Sequence, residues 1–142
     1  MKKLLTILCL VLLSSYSYSD EILRDQLVER QGVYYEVNSQ TPFTGSSVSY
    51  HENGQLSFRI NFKNGELDGL QEVYHENGQL EERNNFKNGE LDGLQESYDE
   101  NGQLERRGNF KNGELDGLQE EFFENGELQS RENYTEGEMD GL

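Results

Sequence analysis

Basic side chains are scarce in this chain: 12 lysines and arginines stand against 28 acidic residues, for a formal net charge of −16. That balance disfavours nucleic acid and anionic lipid as direct partners, because both need clustered positive charge. Cysteine is scarcer still. Cys9 is the single one, it lies inside an N-terminal apolar run, and so no disulfide braces the remainder. Tryptophan is missing, Pro42 is the only proline, and apolar residues make up 32% of the chain. Low hydrophobicity with high net charge ordinarily gives a disordered chain. No Ser/His/Asp or Cys/His set and no glycine-rich phosphate motif is present, which leaves nothing on which to build an enzyme, and no cofactor is expected.

What the chain does have is a repeat. FKNGELDGLQE occurs at Phe62, Phe86 and Phe110, 24 residues apart, and a fixed period of this length marks a repeat array. It also argues against disorder, since a disordered chain has no reason to keep a register. The units read YHENGQL at 50 and 74, YDENGQL at 98 and FFENGEL at 122, each leading to FKNG or, last, YTEG. TPFTG at 41 is a degenerate start. The units fall near 43–66, 67–90, 91–114 and 115–138, within a domain of residues 32–142.

Asn-Gly pairs recur twice per unit, with Glu136-Gly137 in the final slot. Asn-Gly between alternating segments is the strongest short-range hairpin signal, because both central residues of a type I′ turn need positive φ. The segments between turns are of strand length. Leu56, Phe58, Ile60 and Phe62 alternate with polar residues, which favours strands over helices. The expected fold is all-β: a single-layer antiparallel β-meander repeat array with two strands per 24-residue unit. A bulge at Gly69 is expected to place Leu67 with Leu70 and Tyr74 in one stripe beside Leu56 and Phe62. Glu72, Glu82, Asn84, Arg106 and Glu132 interrupt the apolar centre, so the core is thin and partly wet.

The N-terminus reads as an export signal over residues 1–19. Lys2 and Lys3 precede an apolar run from Leu4 to Leu13, too short to span a bilayer, and Ser17 and Ser19 suit cleavage after Ser19. Cys9 makes a poor lipoprotein site, because Leu8 precedes it where a small residue belongs. The expected location is the periplasm or the exterior of a bacterium. A lead segment, 20–31, reads equally as helical or extended. Gly32–Val37 reads as the strand capping the first unit. The strand ending at Tyr134 is expected to be an open edge, a template for a partner strand or for self-association.

Y-x-E-N-G-x-L, then F-K-N-G, then L-x-G at 24-residue spacing, after an RQGVYYEVNSQTPFTG lead, resembles the MORN-repeat variant family, and more narrowly the bacterial YwqK-type antitoxins. The resemblance covers residues 30–142. It implies an antiparallel β-array and neutralisation of a partner toxin by direct binding, with no catalytic residue to carry over.

Among candidate sites, the ladder of Glu66/Asp68, Glu90/Asp92, Glu114/Asp116 and Glu138/Asp140 suggests calcium. Equivalent residues lie about 9–10 Å apart, however. Calcium takes six to eight oxygens at about 2.3–2.6 Å, so rungs cannot share an ion. Repulsion at that distance is only about 0.4 kcal/mol in water, and no ion is needed to tolerate it. The ladder reads as a solvated face, with Lys63/Glu66, Lys87/Glu90 and Lys111/Glu114 facing across turns. His51 and His75 are too far apart to hold a metal. The aromatic ladders, Tyr50 to Phe122 and Phe62 to Tyr134, read as packing rather than a stacking platform. The sharper candidates are Arg59, Arg83, Arg107 and Arg131, with Asn61, Asn85, Asn109 and Asn133 two residues on: a row suited to carboxylates or phosphates. Pairing of these arginines with Glu81, Glu105 and other nearby acids is the alternative. The expected function is non-enzymatic binding of a protein, such as a basic toxin, and the alternative is a structural or cell-envelope role.

Overall fold

A computed structural model describes residues 21–140, so the expected export signal at 1–19 lies outside the described residues. The strands are β1 (Glu21–Leu23), β2 (Leu27–Arg30), β3 (Val33–Glu36), β4 (Gly45–Tyr50), β5 (Leu56–Lys63), β6 (Glu66–Tyr74), β7 (Leu80–Lys87), β8 (Glu90–Leu91), β9 (Gly93–Tyr98), β10 (Leu104–Lys111), β11 (Glu114–Phe122), β12 (Leu128–Thr135) and β13 (Glu138–Met139). Eleven of them form one sheet, in which β4 to β12 run as an antiparallel meander. β2 and β3 form a separate hairpin. Among the described residues there is no α-helix, only a 3₁₀ turn at Arg24–Gln26.

Two kinds of reversal alternate. At Asn64-Gly65 both residues have positive φ, 52° and 81°, as a type I′ turn requires, and Glu136-Gly137 adopts the same geometry at 49° and 79°. Asn88-Gly89 and Asn112-Gly113 repeat it, at 50° and 85° and at 49° and 83°, whereas the other Asn-Gly pair of each unit does not. At His51–Gln55 only Gly54 has positive φ, and the loop closes through His51 N–H to the Gln55 carbonyl, 2.8 Å. Asn53 works there through its side chain, whose Oδ1 accepts the Gln55 N–H at 2.9 Å.

Of the lead segment, open between helix and strand in the sequence, residues 21–30 form β1, the 3₁₀ turn and β2. The cap expected from Gly32–Val37 is made differently. β1 closes the edge, parallel to β4, and β3 joins β2 instead of the sheet. Val33–Glu36 alternates too weakly to bury one face in a sheet, and as a hairpin it covers unit 1 instead. Leu27, Phe43, Ile60 and Phe62 are buried together, with Ile22, Tyr34, Phe58 and Leu67 against them. The Tyr34 and Phe62 rings lie 4.9 Å apart. The Tyr34 N–H donates to the Gly65 carbonyl, 2.8 Å, and the Gly65 N–H to the Phe43 carbonyl, 2.7 Å.

Cross-strand register defines the two faces. Phe58 opposes Val73, Ile60 opposes Gln71 and Phe62 opposes Leu67 on the face beneath the hairpin, while Arg59 opposes Glu72 on the other. The single stripe expected from Leu67, Leu70 and Tyr74 is not formed. Four residues of β6, from Leu67 to Gln71, span what two residues of β5 span, so the insertion is even and preserves parity. Leu67 stays with Phe62, whereas Leu70 lies opposite Asn85 on the arginine face and is 40% exposed. The hairpin face also loses its filling along the array. The slot held by Ile60 carries Asn84, Gly108 and then Glu132, and that of Phe58 carries Glu82, Arg106 and Ser130. Only Phe86, Phe110 and Tyr134, paired with Leu91, Leu115 and Met139, persist. The expected open edge is partly closed, since Tyr134 and Thr135 pair with β13, and no strand among the described residues pairs the outer side of Leu128–Glu132.

The docking of the hairpin is testable at Gly65. An added Cβ would lie 2.3 Å from Val33 Cγ1 and 2.9 Å from the Tyr34 carbonyl oxygen, whereas at Gly113, with nearly the same φ, it meets nothing within 4 Å. Gly65→Ala should therefore cost about 1–3 kcal/mol more than Gly113→Ala in urea unfolding, the overpacking cost alone. The Tyr34 amide should lose its exchange protection in the first variant and keep it in the second.

Candidate functional site

The arginine face carries a row of alternating charge. Its members are Arg59, Glu72, Arg83, Glu96, Arg107, Glu120 and Arg131, each opposite the next on adjacent strands. Glu21 on β1 extends the row, at 3.0 Å from Arg59. Arg83 lies 3.3 Å from Glu72 and 4.0 Å from Glu96. The arginines thus pair with acids in their own row; among the described residues Glu81 and Glu105 pair with none of them. A signal for this was available. Glu72, Glu96 and Glu120 stand 13 residues after one arginine and 11 before the next, which matches the alternating turn spacing.

Glu120, which the sequence did not single out, is the focus of the row. Arg107 Nε donates to Oε2, and Arg131 Nε donates to Oε1 at 2.8 Å. The residue is 1% exposed, closed off by the two guanidinium groups rather than by depth, because a one-layer sheet has none. The hydrogen bonds from Arg107 and then Arg131 hold its carboxyl below the usual range, outweighing desolvation. Two tyrosines join the same face. Tyr74 donates to Glu72 at 3.1 Å, and burial first, then this bond, pushes its hydroxyl up. Tyr98 beside Glu96 is raised for the same reasons in the same order.

The asparagine ladder lies on this face too, mostly at the backbone irregularities. Asn61 Nδ2 donates to the Leu70 carbonyl and Asn85 Nδ2 to that of Leu94, both at 2.7 Å. Gly69 has φ +103°, and a Cβ there would lie 3.4 Å from Asn61 Cβ, so the asparagine packs on the glycine whose carbonyl neighbour it satisfies. Asn109 lies against Gly117 in the same way. Asn133 donates instead to the Asp140 carboxylate.

At the loop end, successive units are clamped. His51 Nε2 meets the Tyr74 carbonyl at 2.7 Å, and His75 Nε2 that of Tyr98 at 3.0 Å. A carbonyl only accepts, so Nε2 carries the proton. Asn53 and Asn77 repeat the device onto Glu76 and Glu100, each at 2.7 Å. At the opposite end Lys63 and Glu66 face each other in register, as do Lys87/Glu90 and Lys111/Glu114, yet these pairs do not close to ion-pair distance. Lys111 reaches Asp116 instead, at 3.9 Å. Among the described residues no three His, Cys, Asp or Glu side chains converge on a metal position.

The geometry defines a class: an all-β repeat protein whose units are hairpins stacked edge to edge, each satisfying the backbone of the next. The family model for the MORN repeat variant matches residues 43–64, 67–88, 91–112 and 115–136, more than half of the chain, and the chain belongs to that family. No curated protein and no solved structure gives a match.

The Glu120 clamp has a pH signature. A carboxyl held below its ordinary value of 4.5 in the fold binds fewer protons than in the unfolded chain, so its stabilisation is complete above that value and is lost as pH falls through the folded one. The melting temperature of the wild type should fall more steeply between about pH 6 and pH 3 than that of Glu120→Gln. Glu120→Gln should be the less stable of the two at pH 6, as followed by thermal unfolding.

Proposed function

We propose that this protein is a non-enzymatic scaffold that binds another protein on its sheet. The observation that carries this is the single layer. Past the first unit no second layer covers either face of the array, and the arginine face presents the same groups unit after unit. Long-range charge supports a basic partner, since an acidic surface raises the encounter rate with a positive one. In its narrower form the partner is a basic toxin, neutralised in the manner that the resemblance to YwqK-type antitoxins implies, at the periplasm or outside the cell. The arginine row is the proposed contact. Its arginine side chains remain 38–58% exposed, and Arg131 has a carboxylate on one side only. Asn61, Asn85, Asn109 and Asn133 would hold the backbone beneath that row.

The test is capture from an envelope fraction by the tagged full-length chain, followed by identification of what is retained. A basic protein released as salt rises, and retained less by an Arg131→Gln variant, is the expected result. Retention of acidic proteins only, or a hydrolytic activity lost on removing one carboxylate, would overturn the proposal.

A second reading, self-association in a structural or envelope role, is favoured by the outer side of Leu128–Glu132, which no strand among the described residues pairs. It predicts a sedimentation coefficient that rises with concentration and an Asn133→Pro variant that stays monomeric.

A further inference from the structure

Unit 1 shows what its hairpin face accepts. The covering segment brings an aromatic ring, Tyr34, onto Phe62, and a backbone N–H onto the Gly65 turn carbonyl. It also carries arginines stacked on its tyrosines: Arg24 lies 5.5 Å from the Tyr34 ring and Arg30 5.0 Å from that of Tyr35. The following units repeat the receiving half of this arrangement without the cover. Phe86 and Phe110 take the place of Phe62, and their exposure is intermediate where Phe62 is buried. No backbone N–H among the described residues reaches the Gly89 or Gly113 carbonyl as Tyr34 reaches that of Gly65.

Two hollows mark the uncovered path. Beside the hairpin runs a groove of about 310 Å³ with eight lining residues, among them Tyr34, Leu67, Glu29, Glu66 and Glu90. Three of the eight are glutamates. Further on, a hollow of about 80 Å³ sits over Gly108, walled by Phe110 and Leu115 and rimmed by Gln95, Arg106 and Gln119. It exists because glycine occupies the slot that Ile60, Asn84 and Glu132 fill in the other units. An aromatic floor with a polar rim is the anatomy of a protein-recognition spot.

We infer that the hairpin face of units 2 to 4 docks an extended, basic, aromatic-bearing segment of another protein, in the manner of β3 on unit 1. Its aromatic side chain seats on Phe110 over Gly108, its backbone N–H donates to the Gly113 carbonyl, and its lysines or arginines meet Glu66, Glu90 and Glu114. Charge selects this occupant over a second copy of the chain, whose own surface is strongly acidic. Units repeat about every 9–10 Å, the reach of three extended residues, so the segment should carry its anchors three residues apart. The inference rests on the scaffold reading and adds to it a second contact, on the face opposite the arginine row. It also gives the acidic ladder of the turn end a task that metal binding does not.

The probe is a synthetic peptide, KGVYYKV, which is Gly32–Val37 with Glu36→Lys and an added leading lysine. It is titrated into the isotopically labelled full-length chain and followed by amide shifts. Gly108→Asn fills the hollow at the cost of a small shift of Leu115, whose Cδ2 would lie 3.3 Å from the added Cβ, and Asn84 already occupies the same slot in unit 2; its thermal unfolding is checked beside the wild type. Glu90→Gln with Glu114→Gln removes charge at exposed positions. The expected result is saturable shifts at Phe110, Gly113 and Leu115, with binding weakened at least tenfold by Gly108→Asn and severalfold by the paired glutamines. A control peptide with both tyrosines replaced by alanine should bind at least tenfold more weakly. Equal binding of that control, or indifference to Gly108→Asn, would overturn the inference by showing charge alone. Shifts confined to Leu128–Glu132 would overturn it too, while leaving the scaffold reading intact. No binding to any part of the chain would overturn it as well, and envelope capture then decides the scaffold reading separately.

Discussion

A one-layer sheet has no interior, and everything else about this molecule follows from that constraint. A strand in such a sheet is held by the two strands beside it, through backbone hydrogen bonds and through side chains directly opposite. Burial, the largest favourable term in most folds, is confined here to the first unit, where β2 and β3 lie over Ile60 and Phe62. Beyond it, cohesion passes to lateral contacts: the alternating Glu–Arg row, the asparagines at the irregularities, and the histidine and asparagine clamps between loops. The charge row runs through every unit, while the histidine and asparagine clamps join the first loops and Gln103 takes their place at the next. The array therefore behaves as a nearest-neighbour stack that one covered end anchors.

The same constraint explains how charge is handled. An acidic chain pressed into a flat array would repel itself along every ladder. The row from Glu21 to Arg131 sets Arg59, Arg83 and Arg107 each between two carboxylates, and so neutralises the centre of one face. The unpaired acids are left at the turn end, where water screens them. The partly polar hairpin face belongs to the same division. Ile60 is apolar because a hairpin covers it, while in the same slot Asn84 is buried among its neighbours and donates to Gln71, Gly108 is buried, and Glu132 is half-buried.

Much of this was legible beforehand. The 24-residue period, the turns at Asn64-Gly65 and its copies, and the meander are written locally, because a type I′ turn depends on two adjacent residues and strand alternation on a handful. Other features were not legible. Both Asn-Gly pairs of a unit look alike, yet one uses positive φ at asparagine and the other uses the asparagine side chain, a choice made by loop length. Which face Leu70 takes depended on whether the insertion at Gly69 is odd or even, and one strand read alone does not say. Glu120 drew no notice because its importance comes from Arg107 and Arg131 on two other strands.

The sequence alone determined the class of fold, the size of its unit and the row of arginines, because short-range stereochemistry and a strict repeat suffice for these. Only the tertiary structure decided which glutamates the arginines hold, that β1 rather than β3 closes the edge, and that the lead hairpin covers one unit and leaves the rest bare. Those outcomes depend on register between strands and on the folding of one segment over another. Such contacts join residues far apart in the chain, and no local pattern encodes them.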